Sequence, residues 1–163
     1  MKINRVAAQL FTIREFIQKP ADIATSLKKV RAIGYEAVQV SGMGPIDEAE
    51  LRRILDGEGL VCCATHENSA KILAEPQWVV ERLRKLGCRH TAYPFPVGYD
   101  LTDATQVADL ISKLDAAGAV LAAAGLVLSY HNHAHEFSRA DGRLVLDLIY
   151  EKTAPAHLQA EID

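Results

Sequence analysis

The chain has 163 residues, 49% of them hydrophobic and 24% charged, with a formal net charge of −3. That length suffices for a domain with its own core, and the acidic balance argues against nucleic-acid or anionic-membrane partners, whose ligands present basic surfaces. No apolar run reaches the ~18 residues of a membrane span, the N-terminus shows no signal peptide, and three cysteines without a CxxC (Cys62, Cys63 and Cys88) are expected to stay reduced in the cytoplasm.

Strand-length apolar runs alternate with helical patterns. Ile3 to Phe11 reads as the first strand. "ADIATSLKKVRAIG" then sets Ile23, Leu27, Val30 and Ile33 on one helical face, with Gly34 as the stop. "YEAVQVSG" is the second strand and "PIDEAELRRILDGEG" the second helix. "LVCCATHE", "EPQWVVERLRKLG" and "CRHTAYPF" read as strand, helix, strand. A long helix from Asp100 to Gly125 leads to the fifth strand, "LVLSYHNH". "RLVLDLIYEKT" is the fifth helix, and "AHLQAEID" the sixth strand.

The strands recur at roughly 30 residues, the size of a β/α unit, which predicts a parallel sheet with right-handed crossovers. An open doubly wound sheet and a barrel both fit that alternation. Two features favour the barrel. No glycine-rich dinucleotide fingerprint follows the first strand. Polar residues recur at the C-terminal ends of the strands, where a parallel barrel places its site: Gln9, Gln39 with Ser41, His66 with Glu67, Tyr93, the histidines after Tyr130, and Asp163. The expected fold is α/β, a parallel (β/α)8 TIM barrel of which this chain holds about six strands. Residues 1–163 are expected to form one domain whose C-terminal units lie beyond Asp163.

The richest stretch is "LVLSYHNHAHEF", Leu126 to Phe137. Strand alternation puts Val127, Ser129, His131 and His133 on one face and Leu128, Tyr130 and Asn132 on the other. Two histidines two apart on a strand can meet one metal or one substrate, their backbones ~6.5–7 Å apart. On the sixth strand Glu161 and Asp163 share a face. Acids inside a barrel are costly unless paired or metal-bound, so Asp163 at the rim is a ligand candidate. Glu161 is either a catalytic acid or the partner that fixes a histidine tautomer. His66 ends its strand as a candidate acid/base. The spacing Gly125, His131, His133, Glu136, Gly142 approaches a cupin motif, but flanking helices oppose that all-β fold.

Taken in order, "QLFTIRE", "IGYEAVQVSGMG", "ATHEN", "LGCRHTAYPF", "AGLVLSYHNHAHEF" and "LQAEID" resemble the xylose isomerase-like sugar phosphate isomerase/epimerase family, of the endonuclease-IV-like superfamily. The resemblance covers essentially the whole chain, and YHNHxxEF is its most specific part. It implies a divalent metal, Mn, Mg, Co or Zn, at the C-terminal rim. Asp163 matches the strand-six ligand. His131 falls at or near the strand-five acid, so imidazole stands where relatives carry a carboxylate. The strand-seven and strand-eight ligands would lie beyond Asp163.

The implied chemistry is proton abstraction next to the carbonyl of a sugar or sugar phosphate, through an enediolate. His66, Glu136 and Glu161 are the expected catalytic residues. Gln9, His133 and Tyr93 are expected on the substrate, and His131 and Asp163 on the metal. A keto-sugar lyase or dehydratase would use the same enolate. A non-catalytic barrel remnant and an endonuclease acting on abasic DNA are the other readings. The expected partner is a small carbohydrate, with a homo-oligomer through the open strand edge as a further expectation. With two ligands missing, the 163-residue chain is expected to be poorly active alone.

Overall fold

The structure is a computed structural model, described here for residues 6–163. Its contacts divide the described residues into two compact units: residues 6–66 with 81–89, and residues 67–80 with 90–163.

In the first unit, β1 (Ala8–Gln9) is followed by a 3-10 segment, Leu10–Phe16. The first strand is therefore shorter than its apolar run predicts, and Ile3 to Arg5 lie outside the described residues. The reason is local. The Thr12 hydroxyl donates to the Gln9 carbonyl at 2.8 Å, and the Phe11 N–H donates to Ser41 Oγ at 3.0 Å. Side chains thus take hydrogen bonds that a continuing ladder would have used. Leu10 still reaches the core.

Helix α1 (Pro20–Ile33) opens with proline at its first position, where no intrahelical donor is needed. It closes on Gly34 at φ 114°, a conformation that a Cβ resists. It buries Ile23, Leu27 and Val30, the predicted face, whereas Ile33 at its last position stays exposed. Strand β2 (Ala37–Val40), helix α2 (Glu48–Glu58) and strand β3 (Val61–His66) follow. Asp47 caps α2 by accepting from the N–H groups of Ala49 and Glu50. The three strands are parallel, with Gln9 opposite Gln39 and Val40 opposite Thr65.

The second unit contains α3 (Ser69–Ala74), and α4 (Pro76–Leu86) runs across the boundary. The sequence pattern did not foresee α3. Its start is an Asn68 cap that accepts from Lys71 N–H, and six residues are too few for a periodic stripe. Strand β4 (His90–Tyr93) leads to α5 (Ala104–Ala123), capped by Asp103. Helix α5 buries Val107, Leu110, Ile111, Leu114 and Leu121, each worth about 1.5–3 kcal/mol of apolar transfer.

Strand β5 (Val127–His131) then precedes an unpredicted hairpin, β6 (Arg139–Ala140) and β7 (Arg143–Leu144). Asp141 and Gly142 turn it at φ 47° and 79°, the Asp-Gly signal of a tight hairpin. The hairpin takes Arg143 and Leu144, so α6 (Val145–Lys152) starts two residues later than its pattern suggests. The predicted sixth strand pairs only over β8 (Gln159–Glu161). Strands β4, β5 and β8 are parallel neighbours, with Tyr93 opposite Tyr130 and His131 opposite Glu161. Leu128 and Tyr130 are buried, whereas Val127 and Ser129 are half-buried, so the two faces of β5 differ as alternation predicts. Among the described residues no helix is long and apolar enough to cross a membrane.

Candidate metal centre

Parallel pairing of β5 with β8 decides which side chains meet. It places Glu161 beside His131, with His131 Nδ1 3.1 Å from Glu161 Oε1. A carboxylate beside Nδ1 is the arrangement that, in metal-ligating histidines, leaves Nε2 as the electron-pair donor. His131 is buried, 7% exposed, while Glu161 remains half-buried.

Beyond His131 the chain leaves the ladder but not the site. A 3-10 turn, His135–Phe137, folds Glu136 back inside. One oxygen of Glu136 accepts from the His133 backbone N–H at 2.7 Å, and the other accepts from the Tyr130 hydroxyl at 2.9 Å. Burial, and then the negative charge of Glu136, push the Tyr130 phenol far above its ordinary range, so it stays a donor. The loop carrying His133 is thereby tied to β5 through a buried carboxylate. The His133 ring meets His131 edge-on at 4.8 Å, and His133 Nδ1 is buried without a hydrogen-bond partner in the protein.

Asp163 completes the group. Its backbone N–H approaches Asn132 Oδ1 at 3.4 Å. One ligand atom each from His131, His133 and Asp163 lies within 4.8 Å of the others. Two imidazole nitrogens and a carboxylate oxygen so gathered fit a divalent cation, and the unpartnered His133 nitrogen is consistent with that fit. A cleft of about 470 Å³, lined by Asn132, His133, Ala134, His135, Phe137 and Asp163, opens at this end.

The other expected residues fall differently. Glu136, expected to act at the reacting atoms, is 0% exposed with both oxygens engaged. It holds the loop rather than facing the cleft. Tyr93, expected on the substrate, is also fully buried and stacks on Tyr130 at 5.6 Å between centroids. Its register opposite Tyr130 puts it on the buried face of the ladder. His133, expected on the substrate, stands in the candidate ligand group and also lines the cleft. His66 ends β3 and Gln9 ends β1, both half-buried and both in the first unit.

Phe95 was not anticipated. It stands edge-on to His133 at 5.7 Å and to His135 at 5.2 Å. Its only sequence signal is an aromatic two residues past the end of the fourth strand, at the rim.

No protein-family model and no curated protein matches the sequence. Solved structures do match in shape. A sugar phosphate isomerase/epimerase from Parabacteroides distasonis superposes with a TM-score of 0.84 at 17% identity, over 100% of this chain and 66% of that one. The fold is that of a xylose isomerase-like TIM barrel. A barrel protein so described from Mycobacterium smegmatis, in complex with magnesium, gives a TM-score of 0.73 at 13% identity, over 96% of this chain and 63% of that one. An AP endonuclease of family 2 from Brucella melitensis gives 0.68 at 12%, over 95% and 66%. The chain thus spans less than two thirds of each of these three barrels. At such identities the likeness is one of fold, and a barrel hosts many chemistries.

Proposed function

We propose that this barrel chain carries a divalent-metal site of a sugar isomerase or epimerase, which moves a proton at the carbon next to a carbonyl. The observation that carries the reading is the convergence of His131, His133 and Asp163, with Glu161 backing His131. These three residues would hold the cation, which as a Lewis acid polarises a bound carbonyl and acidifies the neighbouring C–H.

The chain's own residues supply the rest. Glu161 orients His131, and Glu136 sets the backbone of His133. His135 is exposed on the cleft wall, where its imidazole nitrogens can donate to or accept from a bound substrate. In the first unit, His66 and Gln9 each end a strand at its C-terminal side, the side where barrels collect acid/base and substrate-binding groups.

Deuterium exchange tests this reading with less demand than full turnover. The chain is loaded with cobalt and incubated with ketoses and ketose phosphates in D2O, and deuterium next to the carbonyl is followed by NMR. Metal-dependent exchange that His133→Ala and Asp163→Asn abolish is expected. Absence of exchange in a metal-loaded, folded chain across that panel overturns it.

A further inference from the structure

We infer that this site is built for a borderline transition cation of the cobalt or zinc class rather than for magnesium, and that His131 is the residue that decides this. The inference rests on the proposed metal site and adds the identity of its ion.

The donor set is the first ground. Magnesium takes hard oxygen ligands, keeps much of its water and demands near-octahedral geometry. Imidazole suits zinc, iron and nickel better, and softer donors favour later first-row ions. Here two of the three converging ligand atoms are imidazole nitrogens.

The surroundings are the second ground. His131 is 7% exposed, its ring lies edge-on to that of His133 at 4.8 Å, and Phe95 stands edge-on to His133 at 5.7 Å. Rings crowd this side of the site, where a strongly hydrated ion would keep its water. The supports are the third ground. Glu161 Oε1 lies 3.1 Å from His131 Nδ1, the placement of the carboxylates that back metal-ligating histidines. Glu136 fixes the backbone of His133. One imidazole thus has a carboxylate beside its ring and the other has its backbone anchored by a carboxylate, supports suited to nitrogen ligands. The contrast is with the Mycobacterium smegmatis barrel, whose structure holds magnesium.

The test is a competition titration of the full chain against a fluorescent chelator with Mg2+, Co2+ and Zn2+, accompanied by the visible absorption of the cobalt form. Cobalt and zinc are expected to bind at least about 100-fold more tightly than magnesium. Cobalt bands should show mixed nitrogen and oxygen ligation. His131→Glu is expected to narrow the cobalt-to-magnesium ratio by about tenfold or more, and His133→Asp supplies the same comparison should the first variant fail to fold. Glu161→Gln should weaken cobalt by roughly 10–100-fold.

Magnesium binding within tenfold of cobalt overturns the inference, as does an unchanged ratio in the folded variants. A magnesium-preferring chain that still exchanges deuterium would sink this inference alone. A cobalt-selective chain that exchanges none would sink the isomerase reading alone. A chain that binds no divalent ion sinks both.

Discussion

Glu136 and His133 are three residues apart, and the carboxylate of one accepts the backbone N–H of the other at 2.7 Å. The second oxygen takes the Tyr130 hydroxyl, and nothing of Glu136 reaches solvent. Glu136→Gln keeps the shape but leaves an amide NH2 facing a donor. Hydrogen bonds to a charged group contribute about 1.5–3 kcal/mol each, and an unsatisfied buried donor costs a similar amount. The variant is expected to lose about 2–3 kcal/mol in urea unfolding and roughly 10–100-fold in cobalt affinity. Tyr130→Phe, which removes one of the two bonds, should lose about half as much. A Glu136→Gln chain of unchanged stability and metal affinity would remove the anchor from the account.

How much of this was legible beforehand differs from residue to residue. The period of two paired His131 with His133, and their rings do meet, although His133 lies beyond the end of β5 where alternation no longer applies. The β/α repeat placed five of the six strands close to their observed positions, because each has its own apolar run. Glu136 was out of reach, since its place depends on a 3-10 turn that brings it back beneath Tyr130. Tyr93 looked like a rim residue by its place at a strand end, but its ladder partner Tyr130 decides its face. The Asp141-Gly142 hairpin was written in the sequence as a turn signal; the helical pattern of the following residues obscured it.

Asp115 on α5 is expected to give the fold an acid-sensitive step. Its carboxylate accepts the Ala154 N–H at 2.7 Å and lies 3.0 Å from His157 Nδ1. The backbone hydrogen bond is the main cause holding its carboxyl below the usual aspartate range; burial opposes it and His157 assists. A depressed folded pKa means that the stabilisation is present above the unfolded pKa, about 3.9, and is lost as pH falls through the folded value. Asp115→Asn should flatten this part of the stability curve below about pH 4 and lower stability at neutral pH. Urea midpoints across that range check both. An unchanged slope would assign the acid sensitivity to other carboxylates.

Two helix glycines should respond to alanine in opposite directions. A Cβ on Gly118 would sit 2.1 Å from the His157 carbonyl oxygen, on the segment leading into β8. Backbone cannot swing aside as a side chain can, so Gly118→Ala is expected to cost about 1–3 kcal/mol or more. Gly57 in α2 has nothing within 4 Å of a built Cβ and is exposed. Gly57→Ala should therefore gain about 0.5–1 kcal/mol through helix propensity. Because β8 carries Glu161, the Gly118 variant should also weaken metal binding, and the Gly57 variant should not. Thermal unfolding with and without cobalt separates the two effects.

Phe137 is 59% exposed, and it lines the cleft with His133, His135 and Asp163. An aromatic face beside a polar ligand group suits the nonpolar face of a sugar ring, and its burial on binding supplies affinity without a directional bond. Phe137→Ala removes a side chain that is mostly exposed, so folding stability should change by no more than about 1 kcal/mol, with metal affinity unaltered. Ketose affinity should fall several-fold, and Phe137→Trp should restore it. Saturation-transfer NMR with D-fructose and D-fructose 6-phosphate, on the cobalt-loaded chain, reads this directly. Equal sugar binding by wild type and Phe137→Ala would place the substrate on another wall of the cleft.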